Sequence, residues 1–101
     1  MKVRWSKTAL IEFEEIFLYI SERNEAAARA VVARIERVCT QLEQFPFTGV
    51  ATSEDEARML PIVRYPFSIF YAVDEGLDEV VILHVRHTAR KKPATDDPVA
   101  G

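Results

Sequence analysis

One cysteine, three glycines and two histidines leave this chain short of several residue types that specialised chemistry demands. Cys39 alone cannot form an internal disulfide, and it suits a reducing compartment. Gly49, Gly76 and Gly101 are too scattered to build a glycine-rich phosphate loop. No apolar run approaches the roughly 20 residues of a membrane span. The opening Met1–Lys7 carries charge, but Glu12, Glu14 and Glu15 interrupt the apolar stretch that an export signal would need. The expectation is therefore a cytoplasmic chain with no membrane partner. Serine, histidine and acids are present without the context of a nucleophile elbow or triad. His84 and His87 sit three residues apart in a strand-like run, which aims them at opposite faces and excludes a shared metal site. Neither a metal nor a cofactor is expected.

What is present suits an ordinary globular domain. About half of the 101 residues are apolar, enough for one core and one domain. The formal net charge of −3 argues against a nucleic-acid partner, but its distribution is uneven. The first fifty residues hold seven basic and seven acidic side chains. From Ala57 to Val73 and from Val80 to Thr95 every charged residue is basic: Arg58, Arg64, Arg86, Arg90, Lys91 and Lys92. Neighbouring strands would gather these into a local positive surface; otherwise they are scattered, solvated arginines.

Periodicity supplies the elements. Lys2 to Trp5 alternates as a short strand, and Ser6 is placed to cap a helix. Ala9, Phe13, Ile16, Phe17 and Ile20 recur at helical steps, with Glu12, Glu15 and Glu22 on the opposite side. Asn24 caps a second helix, on which Ala28, Val31, Ile35, Val38, Leu42 and Phe45 form a stripe until Pro46 stops it. So short a connection makes the two helices an antiparallel hairpin. Phe47 to Ala57 reads as a loop. Strand-like runs follow at Arg58–Tyr65, Pro66–Val73 and Val80–His87, the last two joined by a turn through Gly76. Within them Phe67, Ile69, Tyr71 and Val73 share a face, as do Val81, Leu83, Val85 and His87, while Ile82, His84 and Arg86 face the other way. The predicted architecture is α+β: an N-terminal strand, a helical hairpin and a three-stranded antiparallel meander packed on the helices. Residues 1–90 form the domain, and 91–101, with Pro93 and Pro98, read as a mobile tail.

Four stretches in this order resemble the ParE/RelE toxin superfamily, particularly its ParE-like, plasmid-stabilisation branch. They are Trp5-Ser6 with Ala9, Phe13-Glu14-Glu15-Ile16 and Tyr19-Ile20; Asn24 and Ala26-Ala27-Ala28 leading to Leu42 and Phe45-Pro46-x-x-Gly49; Arg58-Met59-Leu60-Pro61-x-x-Arg64-Tyr65-Pro66-Phe67-x-Ile69-Phe70-Tyr71; and Val81 through Arg90. The resemblance spans Val3 to about Arg90. It implies a growth-inhibiting toxin of a type II toxin–antitoxin pair, held in a hetero-oligomer by an antitoxin whose disordered tail folds on it. Ile11, Leu18, Tyr19 and Val32 lie off the core stripes, either as a helix groove for that tail or as isolated exposed side chains.

The superfamily divides by mechanism. ParE-like members poison DNA gyrase by binding, whereas RelE-like members cut mRNA on the ribosome. The second chemistry requires a base, an acid and cations for a pentavalent phosphate. Arg64, Arg86 and His87 are the candidates for it, with Glu54, Asp55 or Glu56 as a source of an acid. Against it, the lysines that RelE carries between the second helix and the second strand are missing, Arg58 being the first basic residue after Arg37. The C-terminal tyrosine of RelE is missing too. The expectation is a ParE-like binder of gyrase; the alternatives are an endoribonuclease, or a non-toxic member that acts only within its antitoxin complex. Arg58, Arg64, Tyr65, Arg86, His87 and Arg90 are the candidate contacts for target or antitoxin.

Overall fold

In a computed structural model the described residues are 1–54 and 57–87. Their order is β1 (Lys2–Trp5), α1 (Lys7–Arg23), α2 (Glu25–Gln44), β2 (Val50–Ala51), β3 (Arg58–Pro61), β4 (Phe67–Asp74) and β5 (Glu79–His87). The expected tail, together with Arg90, Asp55 and Glu56, lies outside the described residues. The five strands form one mixed sheet in the order β1-β5-β4-β3-β2. The meander β3-β4-β5 is antiparallel, as expected from the sequence, and β1 joins it parallel to β5.

Two polar residues fold the helical hairpin. The Ser6 hydroxyl accepts from the Ala9 amide at 3.0 Å and donates to the Leu83 carbonyl at 3.2 Å, so the cap of α1 is also tied to β5. Asn24 serves both helices. Its backbone N–H donates to the Ile20 carbonyl at 2.7 Å, and its side chain accepts from the Ala27 amide at 3.0 Å. One residue thus satisfies orphan groups of two helix ends, which lets the chain reverse without a loop.

The core lies between helices and sheet. Ala9 of α1 and Val31, Ile35, Val38 and Leu42 of α2 meet Ile62, Phe67, Ile69, Tyr71, Val80, Ile82 and Val85. Phe45, expected at the end of the α2 stripe, instead caps the helix and is 62% exposed. Its backbone has left helical geometry (φ −131°, ψ 71°), so the helical period no longer aims its ring at the core.

Three further expectations are corrected. The segment read as a loop after Pro46 contains β2, whose Val50 and Ala51 pair with Met59 and Arg58. The strand expected to reach Tyr65 ends at Pro61, because a turn with a Tyr65 N–H to Ile62 carbonyl bond of 3.0 Å follows it. Simple alternation along β5 also fails. Phe70 pairs with His84 but Tyr71 pairs with Ile82, so Leu83 is an extra residue in the ladder. Such a bulge inverts side-chain parity along the strand. Val80 and Ile82 on one side of it share the core with Val85 on the other, and Val81 and Leu83 do not.

Beneath the sheet Tyr71 holds the route from α2 to β2. Its hydroxyl donates to the Pro46 carbonyl and accepts from the Gly49 amide, both at 2.8 Å. A Cβ at Gly49 would stand 2.7 Å from that hydroxyl and 2.9 Å from the Met59 carbonyl oxygen, so only glycine fits. Replacing Tyr71 with Phe leaves an amide and a carbonyl without this partner, and should cost about 1–3 kcal/mol in urea denaturation. Gly49→Ala should cost about as much through overpacking. A loss below about 0.5 kcal/mol for Tyr71→Phe would show that water replaces the hydroxyl freely.

Candidate functional site

Two concave surfaces flank α1. The first is a groove of about 660 Å³ between the outer side of α1 and α2, lined by Lys7, Leu10, Ile11, Phe13, Glu14, Phe17 and Val32. It exists because α1 carries two apolar stripes. Ala9, Phe13, Ile16 and Ile20 turn toward the core, while Leu10 and Ile11 remain about half exposed. The second is a cleft of about 570 Å³, bounded by Glu15, Ile16, Tyr19 and Ile20 of α1, Ala27 and Val31 of α2, Tyr65, Pro66, Phe67 and His87.

The sequence candidates divide between these surfaces and elsewhere. Ile11 and Val32 share the groove, Tyr19 lines the cleft, and Leu18 is exposed on α1 and lines neither. The four do not form one groove: Ile11 and Val32 line it, while Leu18 and Tyr19 stand exposed farther along α1. Tyr65 and His87 meet in the cleft, where the His87 ring stands edge-on to Phe67 at 5.3 Å between centroids. Arg86 lies on the other face of the sheet, its guanidinium 5.2 Å from the Phe70 ring centroid. Arg58 is engaged internally: it donates to the Gly49 carbonyl at 2.8 Å and stacks over Phe47 at 5.0 Å.

Arg64 is exposed and has φ 77°. It occupies the third position of the turn from Ile62 to Tyr65, where a type II turn favours glycine. An arginine there holds left-handed backbone at a cost of order 1 kcal/mol, which points to a side-chain role outweighing the strain.

Sequence reasoning missed several of these residues. Glu12, read as part of a solvated face, accepts from the Val85 amide at 3.0 Å and lies 3.3 Å from His84 Nδ1. Phe17, expected on the core stripe of α1, instead lines the groove with Leu10, seven residues earlier on the same helical face. Pro66 and Glu15 carried no comparable signal.

A sequence model described as "ParE toxin of type II toxin-antitoxin system, parDE" matches residues 3–92. The chain belongs to the ParE toxin family. The "Putative toxin Y4kP" of Sinorhizobium fredii is 29% identical over 83 residues, covering 82% of this chain and 86% of that one. Solved structures share the fold. A chain of the chromosomal ParDE toxin–antitoxin system from P. aeruginosa aligns with a TM-score of 0.74 at 22% identity, over 86% of this chain and 95% of that chain. The YoeB/ParE toxin from Agrobacterium tumefaciens gives 0.62 at 17%, over 86% and 98%. A chain of the RelBE2 toxin–antitoxin complex from Mycobacterium tuberculosis gives 0.56 at 24%, over 85% and 95%.

Within this ParE-family toxin, no described helix is long and apolar enough to cross a membrane. Two titratable groups are displaced by burial. The Cys39 thiol is pushed up to about 11 by desolvation, which a hydrogen bond with Trp5 partly opposes. The Tyr71 hydroxyl is also raised by burial, against the lowering effects of the Gly49 amide and of Arg58. Both groups therefore stay protonated near neutrality.

Two outcomes follow. Iodoacetamide should modify Cys39 at pH 8 at least about tenfold more slowly in the folded chain than in urea, since thiolate is the reacting form. Equal rates would mean that the thiol is neither enclosed nor raised. Arg64→Gly should relieve the strained turn and raise stability by about 0.5–1 kcal/mol in denaturant titration while weakening growth inhibition. A destabilised Gly variant would show that the Arg64 side chain holds the turn itself.

Proposed function

We propose that this toxin acts by binding, that its target is DNA gyrase in the cytoplasm, and that a cognate antitoxin neutralises it by ordering on the groove between α1 and α2. The observation that supports binding over RNA cleavage is the division of the nuclease candidates. Successive residues of a strand face opposite ways. His87 packs on Phe67 in the cleft and Arg86 stacks on Phe70 across the sheet. An acid–base ring and a phosphate clamp on opposite faces do not converge on one scissile phosphate. The net charge of −3 points the same way, since binding to RNA is driven by counterion release at basic surfaces.

The antitoxin reading rests on apolar exposure. Leu10, Ile11 and Leu18 are each about half exposed along one helix, an arrangement that suits a partner helix contributing side chains at three- and four-residue steps. A disordered tail that folds there would bury these side chains, offsetting the entropy of its own ordering. The solved structures of the ParDE system and of the RelBE2 complex, in which the relatives are described as toxin–antitoxin assemblies, are consistent with such a partner.

Pulse-labelling in the first minutes after induction of the toxin alone tests the target. Thymidine incorporation should fall first, with leucine incorporation following, and the purified protein should inhibit ATP-driven supercoiling by purified gyrase. A prior collapse of leucine incorporation would replace this reading with the ribonuclease one and return Arg64, Arg86 and His87 to the centre. For the groove, Ile11→Glu should lower antitoxin affinity at least about tenfold, with the thermal midpoint of the free toxin changed little. Unchanged affinity would place the antitoxin elsewhere.

A further inference from the structure

The groove between α1 and α2 carries its charge in a particular order. Lys7 and Glu14 are the charged side chains among its lining residues, and both come from α1. Their spacing is almost two full turns, so they stand on one side of the helix about 10.5 Å apart. Midway between them are Leu10 and Ile11, each about half exposed. Neither Lys7 nor Glu14 takes part in an ion pair among the described residues. An adjoining concavity of about 290 Å³ shares Leu10, Phe13 and Val32 with the groove and adds one carboxylate, Glu36 of α2.

Along the exposed side of α1 the row is therefore cation, apolar, apolar, anion. Such a row is its own complement when reversed. A two-fold axis between Leu10 and Ile11 turns a second α1 antiparallel to the first and sets Lys7 of each copy opposite Glu14 of the other. The same axis sets Leu10 against Ile11, so apolar meets apolar at the centre. An isologous contact requires this self-complementarity. A parallel pair would face Lys7 with Lys7 and Glu14 with Glu14, so charge selects the antiparallel one. The helix end adds to the preference. Lys7 is the first residue of α1, and that first turn holds no acidic side chain. The positive end of the helix dipole thus carries a lysine where a carboxylate is favoured. Glu14 of a second copy supplies that carboxylate.

We propose that the groove seats a second copy of this chain, the two α1 helices packing antiparallel about Leu10 and Ile11 and exchanging Lys7–Glu14 ion pairs at both ends. Each α1 then lies along the groove of the other copy, and the exposed apolar side chains of both hairpins are covered together. The contact spans two helical turns per copy, which places it in the small, transient class of interface. The free toxin in this way shields the surface assigned above to the antitoxin, and antitoxin binding dissociates the pair. That consequence rests on the antitoxin reading; the pair itself does not.

Sedimentation equilibrium of the full chain, with no partner added, tests the pair. The wild-type chain should be monomeric in dilute solution and shift toward the dimer mass at roughly 0.1–1 mM. Lys7→Glu sets carboxylate against carboxylate at both ends, and Glu14→Lys sets ammonium against ammonium. Each should weaken self-association at least about tenfold. Both positions are exposed, and a carboxylate is favoured at the start of a helix, so both variants should keep the fold. Mixing the two variants restores opposite charges at both ends. The equimolar mixture should therefore regain the dimer mass that neither variant shows alone, and the double variant Lys7→Glu/Glu14→Lys should recover it too. A wild-type chain still monomeric at ~1 mM, a dimer indifferent to both reversals, or a mixture no heavier than its components would each overturn the proposal. The antitoxin reading fails separately. An intact mixed dimer beside an Ile11→Glu variant of unchanged antitoxin affinity would support the pair and move the antitoxin elsewhere.

Discussion

The bulge at Leu83 decides which side chains of β5 reach the helices, and most of the functional geometry follows from it. Before the bulge Val80 and Ile82 face the core; after it Val85 does, and His87 extends that face into the cleft. In an unbulged strand carrying the same core residues Val80 and Ile82, Arg86 would have pointed toward the helices and His87 away from them. The irregularity is supported from α1. Strand β1 ends at Trp5 opposite Ile82, so the β5 edge beyond it would be left without a strand neighbour. Ser6 takes the Leu83 carbonyl, and the Glu12 carboxylate takes the Val85 amide. Helix α1 thus continues with side chains what β1 began with backbone, as the need to satisfy half-buried amides requires.

The same helix pays for its place in the sheet with exposure elsewhere. Its core-facing residues meet the sheet, Glu12 meets the β5 edge, and what remains is an outer side rich in Leu10, Ile11 and Leu18. A monomer with no use for that surface would carry polar residues there. The hairpin makes the surface concave, since the single-residue connection at Asn24 brings Val32 of α2 beside Phe17 and Ile11. Stability and exposure are therefore separable in this fold. The core stripe of α2 and the Tyr71 hydroxyl network hold the domain, and the apolar outer side of α1 is left exposed.

Much of the fold was legible because it rests on local signals. Ser6 and Asn24 are capping residues with one physical purpose, and the α2 stripe from Ala28 to Leu42 is buried as its spacing implies. What escaped depends on contacts distant in sequence. Nothing near Leu83 marks a bulge, and the Val85 amide beyond the end of β1 is satisfied by Glu12, some seventy residues earlier. The two-residue β2 is too short for any period to show, and beside it Arg58 of β3 and Tyr71 of β4 hold Gly49 through contacts distant in sequence. The site was legible only in part for the same reason. Tyr65 and His87 were recognisable as individuals, but their meeting with Tyr19 is a product of tertiary structure, whereas the parting of His87 from Arg86 follows from strand alternation alone and was legible.

That parting bears on how one fold can serve both binding and RNA cleavage. Catalysis needs several groups within reach of one reacting atom, so it is sensitive to strand parity at the end of β5. Binding needs only area, complementarity and a few anchors, and it tolerates functional residues spread over both faces of a sheet and the outside of a hairpin. Apolar surfaces on α1 and an aromatic cleft suit the second requirement, and that supports the proposed reading of binding over cleavage. Arg64 illustrates the difference. Its left-handed backbone fixes where the side chain leaves the β3–β4 turn, next to Tyr65. Strain spent on aim rather than on chemistry is what a protein-recognition surface requires.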